Sequence, residues 1–180
     1  MFTLIVGGAA SGKSEYAERL AVAAPVARRF YIATMHPWGE ETRQRIARHR
    51  AMRAGKGFET VECPLNLASL QLPEKGTVLL ECLSNLAANE RYDPAGAGED
   101  ACRAILNGVD RLCSQCSDLI LVSNEVFSGG SAYEGDTLEY LRLLARLNRE
   151  LAARADNVCE VQCGIARYYK GKEPYLHDRA

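Results

Sequence analysis

A glycine-rich motif of eight residues near the N-terminus constrains the fold more than any other feature of this sequence. It reads Gly7-Gly8-Ala9-Ala10-Ser11-Gly12-Lys13-Ser14 and matches the pattern G-x-x-x-x-G-K-[S/T]. An apolar, β-branched stretch at residues 2–6 precedes it, and residues 13–24 carry apolar side chains at helical spacing. Strand, loop and helix in this order are the setting that a phosphate-binding loop requires, and residues 7–14 are called the phosphate loop below.

Each residue type in the phosphate loop has a chemical reason. We expect Gly7 and Gly12 to adopt backbone angles that a Cβ atom would forbid, so that consecutive N–H groups can point at one anion. The helix that begins near Lys13 adds the positive end of its dipole. Lys13 is expected to reach the β and γ phosphates, and the Ser14 hydroxyl is placed to bind Mg²⁺. The motif therefore predicts binding of a nucleoside triphosphate; a tight connection without a ligand is the alternative.

The rest of the chain alternates between strand and helix patterns. We predict strands at residues 2–6, 30–34, 58–63, 77–83, 118–123 and 157–163, and helices at 13–24, 40–54, 99–113 and 136–155. This alternation predicts an α/β fold with a mostly parallel sheet flanked by helices, of the P-loop NTPase (RecA-like) type, as one domain over residues 1–180. Ligands of such sheets bind at the carboxyl ends of the strands. The tail from Arg167 could cover a sheet edge, contact another subunit or be mobile.

The composition excludes several classes of protein. The 22 basic and 23 acidic side chains give a net charge of −1, which argues against a protein that coats nucleic acid. No uncharged apolar run approaches the roughly 18 residues of a membrane span. The opening residues MFTLIV are too short for the core of a signal peptide. We therefore expect a soluble cytoplasmic protein without a membrane span.

The seven cysteines do not resemble a disulfide framework, because their number is odd and the chain is long. Cys113 and Cys116 form the only C-x-x-C pair, and no histidine is spaced to complete a zinc site with them. We expect reduced and mostly buried thiols, with a redox or metal role as the alternative.

Glu81 ends the apolar run Val78-Leu79-Leu80, at the kind of strand end where phosphate-loop enzymes carry an acidic residue close to Mg²⁺. A glutamate that caps a helix, or one that is simply exposed, is the alternative.

Residues 40–56 form a basic segment with a net charge of +4, since six lysines and arginines stand against Glu40 and Glu41. On a helix, His49 would share a face with Arg45 and Arg53. Neighbouring guanidinium groups would keep its imidazole neutral and nucleophilic. An ordinary solvated basic face is the alternative, while nucleic-acid binding is disfavoured because the segment lacks interleaved aromatic residues.

Taken together, these features resemble one family, the bifunctional adenosylcobinamide kinase/adenosylcobinamide-phosphate guanylyltransferases of cobalamin biosynthesis. The resemblance covers about nine tenths of the chain. It rests on the phosphate loop and on five further stretches: Tyr31-Ile32-Ala33-Thr34, Arg45-Ile46-Ala47-Arg48-His49, Glu62-Cys63, Leu79-Leu80-Glu81-Cys82 and Val122-Ser123-Asn124-Glu125-Val126. Asn148 and residues 152–156 extend it.

The resemblance implies two reactions. The first moves the γ-phosphoryl group of ATP or GTP to a hydroxyl of adenosylcobinamide, with Mg²⁺ as cofactor. In the second, His49 attacks the α-phosphorus of GTP, and the adenosylcobinamide phosphate then takes the GMP group from this histidine. The family's contacts to the guanine nucleotide fall on Ala33, Thr34, Met35, Arg50, Arg53, Glu62 and Glu81. The resemblance also implies a homo-oligomer, as a trimer.

The sequence departs from the family pattern in three places, one of which is the stretch 164–180, where the family usually has a short apolar ending. Residues 127–133 lack the usual G-x-G-I-V-P-like loop, and Arg48 replaces the first of two adjacent histidines, which leaves His49 as the candidate nucleophile. Two alternatives therefore stay open: a phosphate-loop small-molecule kinase without guanylyltransferase activity, and a nucleotide-responsive binding module without catalysis.

Overall fold

The computed structural model describes residues 1–36, 47, 54–127 and 133–175. Within these ranges seven strands form one sheet: β1 (Phe2–Gly7), β2 (Arg29–Ala33), β3 (Phe58–Glu62), β4 (Thr77–Glu81), β5 (Asp118–Asn124), β6 (Asn157–Gln162) and β7 (Ile165–Lys170). The described α-helices are α1 (Lys13–Ala23), α2 (Leu83–Tyr92), α3 (Ala101–Gln115) and α4 (Gly135–Arg154). Two short 3₁₀ turns, Leu67–Ser69 and Gly98–Asp100, lie between them. The predicted α/β class is confirmed.

The strand order is β3-β2-β4-β5-β1-β6-β7, and every neighbouring pair is parallel except β6 and β7. Strand β5 lies between the strand that leads into the phosphate loop and the strand that ends in Glu81. The register places Gly7 beside Asn124 and Glu81 beside both Val122 and Ala33. The carboxyl ends of β1, β5, β4 and β2 therefore form one continuous edge, at which the phosphate loop lies.

Helices cover both faces of the sheet, because its central strands are apolar on both sides. Along β5, Leu119 and Leu121 pack into the larger core cluster, which also contains the buried side chains of α2, α3 and α4. Ile120 and Val122 point the other way, into the cluster that α1 covers. Burying each such side chain stabilises the fold by about 1.5–3 kcal/mol, so the unbroken apolar run of β5 anchors both layers.

One helix was missed by the sequence prediction. The predicted strand at residues 77–83 ends at Glu81, and α2 begins at Leu83, in a stretch that we had not assigned to any helix. Leu83, Leu86 and Ala87 are all buried against the larger core cluster. Their spacing of three and four residues is helical, but Leu83 also continues the apolar run of β4, so periodicity alone was ambiguous at this junction.

The prediction that residues 157–163 are the last strand was wrong. Strand β6 turns through Cys163 and Gly164, whose φ angles are +52° and +77°, into the antiparallel edge strand β7. The residues after β7 are also tied to the domain, because the Tyr175 hydroxyl donates to the Asp118 carboxylate at 2.6 Å. The tail thus covers the edge of β6 with β7, and Tyr175 is bonded to the central strand β5.

Seven cysteines lie in the described residues, and none forms a disulfide. Four of them are buried, and Cys163 is exposed. Burial raises the pKa of Cys116 and of Cys159 to about 12, so both thiols remain protonated at neutral pH. The described residues contain no cluster of three or more His, Cys, Asp or Glu side chains that could hold a metal ion. Among the same residues, no helix is long and apolar enough to cross a membrane.

Candidate active site at the phosphate loop

The phosphate loop lies between the end of β1 and the start of α1, as the motif predicts. Gly12 has a φ angle of +89° immediately before the first helical residue, Lys13. A side chain at such an angle would be strained, which explains glycine at this position. Inside the loop, the Ser11 N–H donates to the Gly8 carbonyl at 3.3 Å, and Ala10 adopts a φ angle of +56°. The loop is therefore a tight turn that leads into a helix N-terminus, the arrangement that binds phosphate.

Gly7 is needed for a different reason than we expected. Its φ angle is not in the positive region, and it is the last residue of β1. A Cβ atom on Gly7 would lie 2.6 Å from the Val161 carbonyl oxygen and 2.6 Å from Ser11 Oγ. Glycine is required here because neighbouring atoms approach too closely, and the neighbour that matters belongs to β6, far away in the sequence.

Lys13 is folded back onto its own loop. Its Nζ donates to the Gly8 carbonyl at 2.9 Å. Burial lowers the pKa of Lys13, while the nearby Cys82 and Glu81 oppose this shift. A cation in a partly desolvated position attracts phosphate more strongly than one in free solvent, because the local dielectric screening is weaker.

Ser14 and Glu81 meet in the structure. The Ser14 hydroxyl donates to Glu81 Oε1, and Glu81 Oε2 accepts a hydrogen bond from the Tyr31 hydroxyl at 3.2 Å. Glu81 is half-buried at the end of β4, and no side chain caps the following helix α2. The observed contacts favour the site position over the helix-cap and exposed alternatives. A hydroxyl and a carboxylate are the hard oxygen ligands that suit Mg²⁺, which typically takes few protein ligands and completes its shell with phosphates and water.

Thr34 is buried just beyond β2, and its hydroxyl is committed to the backbone of Cys82. It accepts from the Cys82 N–H and donates to the Cys82 carbonyl, both at 2.9 Å. The Thr34 carbonyl accepts from Asn89 Nδ2 at 2.8 Å. In this arrangement Thr34 joins the ends of β2 and β4, while its half-buried neighbours Ala33 and Met35 lie at the same edge.

The remaining predicted nucleotide contacts are spread along the edge or lie outside the described residues. Glu62 is exposed at the end of β3, the outermost strand on that side. Four strand spacings separate β3 from β1, which is about 19 Å. His49, Arg50 and Arg53 lie outside the described residues. Within residues 40–54, Ala47 has helical backbone and Ala54 lies in a turn.

Two contacts between distant segments were not anticipated from the sequence. The Lys56 ammonium forms an ion pair with the Glu18 carboxylate, which is almost fully buried on α1. Lys56 was counted in the +4 basic segment, so one of those charges is neutralised. The Gly164 N–H donates to the Ser11 carbonyl at 2.8 Å, which places the β6–β7 turn against the phosphate loop. No local pattern indicates these contacts, because each joins segments that are distant in the chain.

The Ser123-Asn124 pair at the end of β5 is part of a polar network. The Ser123 hydroxyl donates to Asn148 Oδ1 at 2.6 Å, and Asn124 Nδ2 donates to Ser84 Oγ at 2.6 Å. Ser84 Oγ is also 3.0 Å from the Cys82 thiol. This network connects α4, β5 and α2 directly beside Glu81.

Comparison with known proteins agrees with this geometry. Residues 3–168 match the protein family described as cobinamide kinase / cobinamide phosphate guanyltransferase. The chain is 32% identical to the bifunctional adenosylcobalamin biosynthesis protein CobU of Escherichia coli (strain K12), over 92% of this chain and 97% of the relative. It is 33% identical to the bifunctional adenosylcobalamin biosynthesis protein CobP of Pseudomonas aeruginosa, over 96% of this chain and 99% of that protein.

A solved structure supports the fold alone. An ATPase from the type III secretion system of pathogenic bacteria superposes with a TM-score of 0.52 at 10% identity, covering 93% of this chain and 56% of that one. The match agrees with the predicted P-loop NTPase class. From its sequence and its relatives, this chain is an enzyme that belongs to the cobinamide kinase / cobinamide phosphate guanyltransferase family.

Proposed function

We propose that this enzyme performs two successive transfers in the cytoplasm, acting as a single domain over residues 1–180 and as a homotrimer. In the first transfer, the hydroxyl of the aminopropanol arm of adenosylcobinamide attacks the γ-phosphorus of ATP or GTP. A new P–O bond forms, the bond between the γ-phosphorus and the bridging oxygen breaks, ADP or GDP leaves, and the hydroxyl proton passes to solvent.

In the second transfer, an imidazole nitrogen of His49 attacks the α-phosphorus of GTP, and pyrophosphate leaves. The phosphate oxygen of adenosylcobinamide phosphate then attacks the same phosphorus. The P–N bond to His49 breaks, and the product is adenosylcobinamide-GDP. A covalent intermediate allows one site to handle two large substrates in turn.

The observation that carries the proposal is the contact of Ser14 with Glu81 beside the Lys13 ammonium. Lys13 Nζ donates to the Gly8 carbonyl at 2.9 Å. A nucleotide phosphate would take the place of this neutral acceptor and form a stronger, charge-assisted hydrogen bond with the ammonium. Ser14 and Glu81 would hold Mg²⁺. That ion would neutralise charge on the triphosphate when bound. Ala33, Thr34, Met35, Arg50, Arg53 and Glu62 are the proposed contacts to the remainder of the nucleotide.

The proposal is tested by incubating the protein with GTP labelled at the α-phosphate and Mg²⁺, followed by denaturation. We expect label that is lost in acid and retained in base, as a phosphoramidate requires. The His49→Ala variant should carry none, whereas His177→Ala is the matched control and should label like the wild type. Label that persists in His49→Ala would refute the assignment.

A parallel assay with γ-labelled ATP and adenosylcobinamide separates the two activities. Phosphorylation of the corrinoid without any labelled protein would support the kinase-only alternative. Nucleotide binding without either transfer would support the binding module. Lys13→Ala should weaken triphosphate binding in every one of these cases, because all three functions use the phosphate loop.

A further inference from the structure

The first half of α4 extends past the carboxyl edge of the sheet. Asn148 is level with the end of β5, because it accepts from the Ser123 hydroxyl and its Nδ2 donates to the Asn124 carbonyl at 3.3 Å. The thirteen residues from Gly135 to Leu147 precede this level and span about 20 Å of helix. The buried side chains of α4 are Leu144, Leu147 and Leu151, so its first nine residues, Gly135 to Leu143, contain none. The N-terminal part of α4 therefore lies beside the candidate site, whereas its C-terminal part packs on the sheet.

Helix α2 packs along this projecting part and leaves a groove between the two helices. The Tyr92 hydroxyl donates to the Asp136 carbonyl at 2.6 Å, and the Tyr140 hydroxyl donates to the Ser84 carbonyl at 3.2 Å. These bonds hold the helices antiparallel at two points. The groove between them has a volume of about 290 Å³ and is lined by Ala88, Tyr92, Asp136, Thr137 and Tyr140.

A chain of contacts leads from the groove to the strand end that carries Glu81. Tyr140 in its wall bonds to Ser84, Ser84 Oγ is 3.0 Å from the Cys82 thiol, and Cys82 directly follows Glu81. Cys82 and Glu81 are also the two groups that act electrostatically on Lys13. The groove therefore lies close to the strand end that carries Glu81.

The described lining is largely apolar and aromatic, with hydroxyl groups and the carboxylate of Asp136. Among the described residues that line the groove there is no lysine or arginine, which makes it a poor place for triphosphate. Tyr92 is 46% exposed, and two further exposed aromatic residues, Phe127 and Tyr133, belong to the connection between β5 and α4. Solvent-exposed aromatic side chains offer large apolar contact areas, and tyrosines add a hydroxyl group that can form hydrogen bonds.

Building on the proposed function, we infer that the groove between α2 and α4 is the docking surface for the corrin ring of adenosylcobinamide. The macrocycle has hydrocarbon faces and an amide-bearing rim, which match the aromatic and hydroxyl groups of the lining. Its aminopropanol arm would then point along Tyr140 and Ser84 toward the phosphate loop. Nucleotide and corrinoid would approach the same strand ends from different sides, so both can be bound at once.

The test is to fill the groove with Ala88→Trp and to measure KM for adenosylcobinamide and for ATP in the kinase reaction. We expect at least a tenfold rise in KM for the corrinoid, with KM for ATP and the labelling by α-labelled GTP unchanged. Ala153→Trp is the matched control, since Ala153 is exposed near the opposite end of α4 and should leave both KM values unchanged. Tyr92→Ala is the second variant and should raise the corrinoid KM severalfold without adding bulk to the fold.

The outcomes separate this inference from the proposed function. A wild-type enzyme that does not phosphorylate adenosylcobinamide would refute the function, and the groove assignment would fall with it. An active wild type whose corrinoid KM is unaffected in both Ala88→Trp and Tyr92→Ala would overturn the groove assignment alone. A change in the molecular mass of Ala88→Trp by light scattering would also overturn it, because the groove would then be a contact between copies of the chain.

Discussion

Replacing Tyr16 by phenylalanine tests whether the C-terminal tail is hydrogen-bonded to α1 in solution and so stabilises the helix that follows the phosphate loop. Tyr16 lies on α1, two residues after Ser14, and is 3% exposed. Its hydroxyl is 2.8 Å from the Tyr168 hydroxyl on β7 and donates to Glu173 Oε1 at 2.8 Å. Burial and these hydrogen bonds raise the pKa of Tyr16, so the hydroxyl is a donor at neutral pH.

The expected change in the free energy of unfolding follows from the hydrogen bond to Glu173 that the substitution removes. A hydrogen bond to a charged group contributes about 1.5–3 kcal/mol. Glu173 is half-exposed, so water can replace part of the loss, and we expect Tyr16→Phe to lower the free energy of unfolding by about 1.5 kcal/mol. For a chain of this length the melting temperature should fall by roughly 3–6 °C.

The assay is urea denaturation followed by fluorescence, with calorimetry as the second measurement. Tyr169→Phe is the control on the same strand, because Tyr169 is 60% exposed and its bond to Glu160 lies at the surface. It should change the free energy of unfolding by less than about 0.5 kcal/mol. If Tyr16→Phe behaved like Tyr169→Phe, the tail would not be bonded to α1 in solution, and the reasoning would be refuted. A double-mutant cycle with Glu173→Gln should show a coupling energy of about 1 kcal/mol.

Three further predictions follow from the described contacts. Gly7→Ala should lower the free energy of unfolding, measured by urea titration, by about 1–3 kcal/mol and weaken triphosphate binding, because its Cβ would lie 2.6 Å from neighbouring atoms. Gly8→Ala is the control and should have a stability near that of the wild type, because a Cβ there would meet nothing within 4 Å. Ellman's reagent at pH 8 should modify the exposed Cys163 rapidly and the four buried thiols only after unfolding; Cys163→Ser should lose the rapid phase. Stability should fall as pH rises above about 9, since the thiols of Cys116 and Cys159 ionise in the unfolded chain but have pKa values of about 12 in the fold. Urea midpoints that stay flat from pH 8 to 10.5 would contradict this last prediction.

Local patterns were sufficient for several elements. The helix after the phosphate loop was predicted to begin at Lys13, where α1 begins, and the apolar run at 118–123 became β5 with one extra residue. These elements are specified by hydrogen bonds between near neighbours and by side chains that alternate or recur within a few residues. Boundaries failed where two patterns overlap, as at Leu83, which continues the run of one strand and also begins a helix.

The polar tail shows the opposite case. Residues 167–175 carry no clear apolar periodicity, and their attachment depends on hydroxyl groups that find partners on α1 and β5. Such bonds form only after the sheet has brought distant segments together. From the sequence, covering a sheet edge, contacting another subunit and being mobile were equally open.

By itself, the sequence determined that a phosphate loop joins a buried strand to a helix, and it pointed to Ser14 and Glu81 as candidates for holding one Mg²⁺. Only the tertiary structure decided that these two side chains touch, because they lie 67 residues apart and the order of the strands brings them together. The reason that Gly7 must be glycine was decided in the same way, by the Val161 carbonyl of a strand near the other end of the chain. A motif or helix start that depends on a few neighbouring residues can be predicted from the local sequence pattern. A contact between the ends of two strands cannot, because it depends on the order of all the strands in the sheet.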